Sequence, residues 1–429
     1  MGKDHRKHTS VGNWRADLGV MSINSLLVDF NSYFASCEQQ ARPELRGRPV
    51  GVVPMLADTT CLIAASIEAK KFGVKTLTNV GEAKRLIPDI QLVVARHELY
   101  IDFHHKAVAA VDEIAPVRDV LSIDEMVCDL PSGFKTVARA TELAHHIKRN
   151  MAVKVGECLT VSIGLAPNTF LAKLASDMQK PDGLVILEEH DVPGRILHLP
   201  LRALNGVGAN MEVRLNKHGI FSMADLYAQT PSQLKSVWGG VGGERFHAKL
   251  RGAEVHDFDH GTGSISHSHV LAPELRNGDD AHSVLDRLTQ KAAMRLRKSG
   301  FYSARIAVKV KFLNGPTWEK ETRFLETQDT LDLLHAMEQL WTAFPKKKHL
   351  TPLQVGVVLS GLTSEAAQSA RLFDDLEQTG DKKKLNAAID LLNTRFGKRA
   401  AYFGGAHRAM DHGKLAIAFN HIPDVETEK

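Results

Sequence analysis

The stretch Leu26-Leu27-Val28-Asp29-Phe30-Asn31-Ser32-Tyr33-Phe34 decides how the chain is read, because an unbroken apolar run ends in a carboxylate and then changes period. Leu26 to Val28 predicts a buried strand, and Asn31 to Gln40 has the spacing of a helix. Asp29 then stands at a strand end, which is a rigid mount for chemistry. Further along, Val117 to Leu121 and Met126 to Leu130 are two more short apolar runs. Ser122-Ile123-Asp124-Glu125 lies between them and predicts a tight hairpin with two acids near its tip. Ala140 to Val153 predicts a helix, Leu159 to Ile163 a strand, and Asn168 to Met178 a helix holding Lys173. Strands mixed with crossing helices predict an α+β domain.

Pro181-Asp182-Gly183 is a turn signal, after which glycine punctuates helix pairs at Asn205-Gly206-Val207-Gly208 and at residues 239–243. A separate helical domain follows from that change. Residues 256–268 are polar, short in side chain and without period, as a tether would be. Beyond them come a helix with Leu285, Leu288, Ala292 and Leu296 on one face and a strand, Ala304 to Phe312, in strict alternation. At 429 residues the chain is long enough for three or four domains.

The composition, 43% hydrophobic and 24% charged, is that of a globular protein, and no run approaches the ~18 apolar residues a membrane span requires. Residues 1–21 carry cations but no apolar core, so they are read as a disordered extension and not a signal peptide. Cys37, Cys61, Cys128 and Cys158 have neither zinc-ligand nor disulfide-framework spacing, which points to a reducing, cytoplasmic compartment. The net charge of +4 says less about partners than its distribution does.

Asp29, Asp124 and Glu125 are the candidate chemistry. Three convergent carboxylates suit two divalent ions about 3.5–4 Å apart, and an oxygen-rich set suits Mg²⁺. The plainer reading of an Asp-Glu pair at a hairpin is turn chemistry. Lys173 could meet a triphosphate as a point charge or simply face solvent. The glycine turns resemble helix-hairpin-helix elements, whose backbone N–H groups hold a DNA phosphate, against the alternative of ordinary helix caps. Between Arg287 and Trp318 eight cations, including Arg305, Lys309 and Lys311, meet no acid. In the strand, Ile306, Val308, Val310 and Phe312 point one way and those three the other. A phosphate backbone is the natural partner of such a face, with a lysine-protected edge strand as the alternative.

At this point the residues resemble the Y-family translesion DNA polymerases. Residues 28–38 resemble the family's first motif, Ser122-Ile123-Asp124-Glu125 its second, and Leu171 to Met178 with Lys180-Pro181 and Gly183 its third. Glu68-Ala69-Lys70-Lys71-Phe72-Gly73-Val74-Lys75 resembles its fingers motif. Four motifs in register over residues 22 to about 360 are highly specific.

The resemblance implies a right hand with palm (22–32 and 97–187), fingers (33–96), helical thumb (188–257), linker (258–266), little finger (267–362) and C-terminal tail (363–429). It implies Asp29, Asp124, Glu125 and the carbonyl of Phe30 as ligands of two Mg²⁺ ions. Phe34 is implied as the steric gate against a 2′-OH, with Tyr33 beside it, and Lys70 and Lys173 as triphosphate contacts. Gly206, Gly208, Arg305, Lys309 and Lys311 are the implied contacts of primer-template DNA. The implied activity is addition of deoxynucleotides to a primer 3′-OH by a chain acting as a monomer.

This sequence also departs from the pattern. Ile67 and Lys70 stand where polymerase IV-type members place Tyr and Arg, and Asn31 replaces an acid. Asn31, Ser36-Cys37-Glu38 and Lys70 resemble instead the polymerase V catalytic subunit. Gln368-Ser369-Ala370-Arg371-Leu372-Phe373 resembles a sliding-clamp peptide in which Gln368, Leu372 and Phe373 make contact, or else a segment docking on its own domain. Two other classes compete with an active polymerase. A non-catalytic DNA-binding relative would be expected to have lost the carboxylates, and a two-metal nuclease or cyclase leaves the thumb, gate and basic strand unexplained.

Overall fold

The computed structural model describes residues 23–255, 263–345, 349–367, 376–397 and 400–412, side chains of 376–379, 411 and 412 excepted. These fall into two compact units, one within residues 23–255 and the other within 263–412.

The first unit begins with β1 (Ser25–Phe30), which is buried along its whole length, and α1 (Tyr33–Ala41). β2 (Val50–Val53), β3 (Ala64–Ala65), α2 (Ile67–Lys71), α3 (Val80–Leu86) and β4 (Gln91–Val94) form a small body of their own, with sheet order β3-β2-β4. Its core is small and aliphatic, built from Val53, Leu62, Ala69, Val74, Val80 and Ile87. The long α4 (His97–Asp112) leads to β5 (Val117–Ser122) and β6 (Glu125–Asp129), then α5 (Val137–Lys154), β7 (Val161–Ala166), α6 (Thr169–Met178) and β8 (Leu184–Ile186). These strands and β1 make one sheet of order β5-β6-β1-β7-β8. β1 lies at its centre, antiparallel to both β6 and β7. Every residue of β1 and β7 is buried, so both faces of the sheet centre are covered.

Four helices close this unit: α7 (Ala209–Lys217), α8 (Met223–Ala228), α9 (Pro231–Trp238) and α10 (Val241–Leu250). One apolar cluster runs from Leu27, Leu171 and Leu174 of the sheet layer to Leu215, Leu234 and Leu250 of these helices. Asn168 fastens the two parts. Its Oδ1 accepts from the N–H of Leu171 and caps α6, while its Nδ2 donates to the carbonyls of Lys249 and Ala253, each at 2.8 Å.

The second unit holds β9 (Ser264–Val270), α11 (Gly278–Lys298), β10 (Phe301–Phe312), β11 (Trp318–Thr327), α12 (Thr330–Trp341) and β12 (Pro352–Ser364), with sheet order β11-β10-β12-β9. Ile306, Val308, Val310 and Phe312 are buried as their alternation predicts, packed with Leu285, Leu288, Ala292 and Leu296 of α11. A further helix, α13 (Leu376–Phe396), is fastened to this body by Asp390, which takes a two-pronged ion pair from Arg297 at 2.7 and 2.8 Å. Buried Asn386 accepts from the Thr330 hydroxyl at 2.8 Å. The chain from 376 to 412 is thus built onto the second unit, where the sequence suggested a tail.

The fold class is the expected α+β, with one instructive shift. The strand expected over Leu159 to Ile163 runs instead from Val161 to Ala166. It continues through Gly164 because α6 crosses there so closely that an added Cβ would lie 1.9 Å from the Ala172 carbonyl oxygen. Glycine is read as a strand breaker in sequence, but here it is the residue that lets helix and strand touch. Gly164→Ala is expected to force α6 away from β7 and to destabilise the first unit by about 1–3 kcal/mol. Denaturant titration of wild type and variant checks this; an unchanged midpoint would mean that α6 can shift without loss.

Candidate active site

Register alone brings two of the three carboxylates together. On β1, Asp29 lies opposite Glu125 of β6 and Ser162 of β7. Asp124 occupies the β5–β6 turn, and its carbonyl accepts from the N–H of Phe30 at 2.9 Å, which ties the turn to the end of β1. Ser122 Oγ donates to Asp124 Oδ1 at 2.6 Å and fixes that carboxylate. A group not legible in sequence also holds the turn: His104 of α4 is buried, with Nδ1 2.8 Å from the carbonyl of Ile123. Burial holds this imidazole below its usual pKa, and the Nδ1–H tautomer makes it the donor.

Three acids in so small a space repel one another. Asp29 is only 3% exposed. Burial raises the carboxyl pKa of both Asp124 and Glu125, the charge of Asp29 pushing the same way. Lys173 answers this from α6, pairing with Asp29, with Glu125 at 3.1 Å and with Asp177 at 3.0 Å, and the three acids hold its ammonium above the usual pKa against its burial. Lys180 does the same from beyond the helix, 2.7 Å from both Asp29 and Asp177. In the sequence Lys180 counted only as part of the third motif, with no role at the site, because it lies outside any periodic element. Lys70 arrives from α2; burial and the nearby Lys180 lower its pKa, while Asp29 and Asp124 oppose that. Asn31 stays out of the acidic cluster, its amide donating to Thr160 and accepting from Ser162 Oγ at 3.0 Å.

Phe34 and Tyr33 separate in role. Tyr33 is 3% exposed and its hydroxyl donates to the Tyr100 carbonyl at 2.7 Å, so it belongs to the core. Phe34 is half-buried, its ring stacked on that of Tyr100. Before it, Ser32 adopts a left-handed φ of 53° and its buried hydroxyl finds no partner among the described residues. It precedes the uncapped start of α1.

A tighter His and carboxylate group among the described residues, Glu188, His190 and Asp191, lies elsewhere. Glu188 and Asp191 make a reciprocal helix cap, and Arg195 donates to Asp191 at 3.2 Å, so its oxygens already have partners. The cluster at Asp29 offers oxygens alone, the donor type that Mg²⁺ takes, and Lys173 and Lys180 stand against its charge.

Gly206 has a positive φ of 88°, a conformation glycine adopts without strain, and Gly208 is the N-cap of α7. The chain therefore turns directly into α7, and Gly208, Asn210 and Arg214 line a cleft at its start. The second glycine turn ends α9 at Gly239 and opens α10 at Gly240.

The basic strand expected over Ala304 to Phe312 lies within β10. Hairpin pairing lays acids across it: Lys309 meets Glu319 at 2.8 Å, and Arg305 lies 3.9 Å from Glu321. Those acids begin one residue beyond the stretch that looked acid-free. Arg297 is engaged with Asp390 and the Gln328 carbonyl. Lys311 is exposed at the strand end, opposite Gln354 of β12. Gln368, Leu372 and Phe373 lie outside the described residues.

Residues 28–177 match the impB/mucB/samB family and residues 262–372 its C-terminal domain. A DNA polymerase IV from Moorella thermoacetica is 33% identical over 392 residues, covering 88% of this chain and 94% of that protein. Protein UmuC of Salmonella typhimurium is 29% identical, covering 88% and 92%. In fold, the chain resembles a Y-family DNA polymerase chimera of Dbh and Dpo4 with a TM-score of 0.65 at 24% identity, over 80% of this chain and 100% of that one. Among the described residues no helix is long and apolar enough to cross a membrane.

The pairing on the basic strand separates its lysines. Lys311→Ala is expected to weaken duplex binding and flatten its salt dependence by about 0.9 in log–log slope, as one lost phosphate contact would. Lys309→Ala, whose charge already has Glu319, should change both less. Fluorescence anisotropy across a salt series reads the two, and unchanged affinity and slope in both variants would return the strand to a lysine-protected edge.

Proposed function

We propose, for a chain that belongs to the impB/mucB/samB family of Y-family DNA polymerases, that Asp29, Asp124 and Glu125 hold the ions and Lys173, Lys180 and Lys70 the triphosphate of its incoming nucleotide. The chain is a translesion DNA polymerase. The observation that carries the site assignment is the register of β1 on β6, which sets Asp29 directly opposite Glu125 at the end of a fully buried strand.

Mg²⁺, the ion such all-oxygen sites favour, would make the primer 3′-OH a better nucleophile and bind the phosphate oxygens when present. The residues supply the rest. Asp29 and Asp124 are anchored by backbone and by Ser122, so they keep their positions when ligands arrive. Lys173 and Lys180 are long, flexible cations spent on Asp29 in the free protein. A triphosphate offers them a denser anion, and their transfer to it would free the Asp29 oxygens for metal. Lys70 and Lys173 lie on different elements, so a phosphate held by both would lock α2 against α6. Phe34 would stand under the sugar and collide with a 2′-OH. The α7 start at Gly206 and Gly208 would hold DNA backbone without reading its sequence. Four unpaired thiols fit a reducing cytoplasm.

Asp124→Ala is expected to abolish primer extension while leaving DNA affinity within about twofold, because that charge serves ions and not the template. Extension and anisotropy assays on one template test this; near wild-type extension by the variant would refute the site. Phe34→Ala tests the gate through the relative use of CTP and dCTP, which should rise.

A further inference from the structure

The ring of Phe34 can exclude a hydroxyl only if it cannot retreat. We propose that Tyr100, clamped by Glu38 and Arg96, fixes where that ring stands and so sets how strongly ribonucleotides are excluded; this rests on the reading of Phe34 as the gate.

The arrangement is two pairs of residues facing each other. Phe34 and Glu38 are one turn apart on α1, and Arg96 and Tyr100 are one turn apart at the start of α4. The rings of Phe34 and Tyr100 stack with centroids 4.5 Å apart and 14° between planes. His97 meets Phe34 edge-on, 6.3 Å away at 89°. Tyr100 is itself immobile: it is 0% exposed, its backbone carbonyl accepts from the Tyr33 hydroxyl, and its own hydroxyl donates to Glu38 Oε1 at 2.8 Å. The Glu38 carboxylate, also 0% exposed, accepts from Arg96 Nε at 3.0 Å and Nη2 at 2.5 Å.

A buried carboxylate is a costly way to join two helices, since an aliphatic pair would pack them at lower cost. What charge and direction add is position. Arg96 presents a rigid fork, Glu38 accepts it in one orientation, and the Tyr100 hydroxyl then has one place to point. Without that hydrogen bond the Tyr100 ring could slide, and Phe34 with it, by the fraction of an ångström that separates contact with a 2′-OH from accommodation. Glu38, Arg96 and Tyr100 do not touch the nucleotide in this scheme; they are positioning residues.

The test is single-nucleotide insertion opposite template dG with dCTP and with CTP, using the full chain. Tyr100→Leu removes the stacking wall, Tyr100→Phe and Glu38→Gln weaken only the clamp, and Phe34→Ala removes the gate. Tyr100→Leu is expected to raise the ratio of kcat/KM for CTP over dCTP about tenfold, with smaller rises of the same sign for the two milder variants. A merely structural role would lower both substrates together and leave the ratio unmoved. In the Phe34→Ala background Tyr100→Leu should add no further relaxation, because there is no ring left to position. If Phe34→Ala relaxes discrimination and neither Tyr100→Leu nor Tyr100→Phe does, the positioning proposal is overturned while the gate stands. If Phe34→Ala changes nothing, the gate reading itself fails. Should Tyr100→Leu not fold, Tyr100→Phe and Glu38→Gln decide, and an unchanged ratio in both overturns the proposal.

Discussion

Three carboxylates held at one end of a sheet repel one another, and most of the first unit can be understood as the means of holding them there. β1 supplies Asp29 and the β5–β6 turn supplies Asp124 and Glu125, so the hydrogen-bond register of one antiparallel pair fixes their meeting. Because side chains alternate along a strand, a slip of one residue would carry Asp29 to the opposite face. The register is held by full burial of β1, by the backbone bond from Phe30 to Asp124, and by His104 beneath the turn. That repulsion is balanced electrostatically by Lys173, carried on α6, which lies so close to β7 that an added Cβ at Gly164 would strike its backbone.

Much of this was legible in sequence because it depends on local pattern. An apolar run ending in an acid, a hairpin tipped with two acids and a capped helix carrying a lysine each follow from period and composition, and their order matched a family. What escaped needed contacts between distant segments. Lys180 gained its role from where the turn after α6 returned it, Asn31 lost the role of an acid to a bond with Ser162, and Tyr33 was drawn into the core by the carbonyl of Tyr100. The acids beside the basic face of β10 escaped for the same reason. Charge counted along the chain ended at Trp318, but hairpin pairing is a matter of which strand lies beside which, and it placed Glu319 opposite Lys309.

The second unit is built by simpler rules. Its core follows simple alternation against α11, and its outer strand carries acids and bases interleaved. Pairing across β10 and β11 lowers the positive field of the strand without removing its cations. Such side chains can exchange a carboxylate for a phosphate at small net cost, because both partners are largely solvated. A surface of this kind binds through the number of contacts and releases readily. The addition of α13 serves another purpose: its ties to α11 and α12 run through a two-pronged arginine pair and a buried asparagine, which specify one orientation.

The same contrast separates the two kinds of charge inside the active unit. Glu38 is buried, and it takes a two-pronged bond from Arg96 and a third from the Tyr100 hydroxyl, which commits it to one geometry. Lys173 and Lys180 are flexible cations on the carboxylates that ions would require. A committed pair suits a part that must not move when substrate arrives, and an exchangeable pair suits one that must. Nucleotide binding would therefore cost the chain little reorganisation beyond lysine side chains turning from Asp29 to phosphate, and the repulsion left among the three acids on their departure is what would draw divalent ions in. Binding of nucleotide and of metal would then be coupled through Asp29, because each removes what opposes the other.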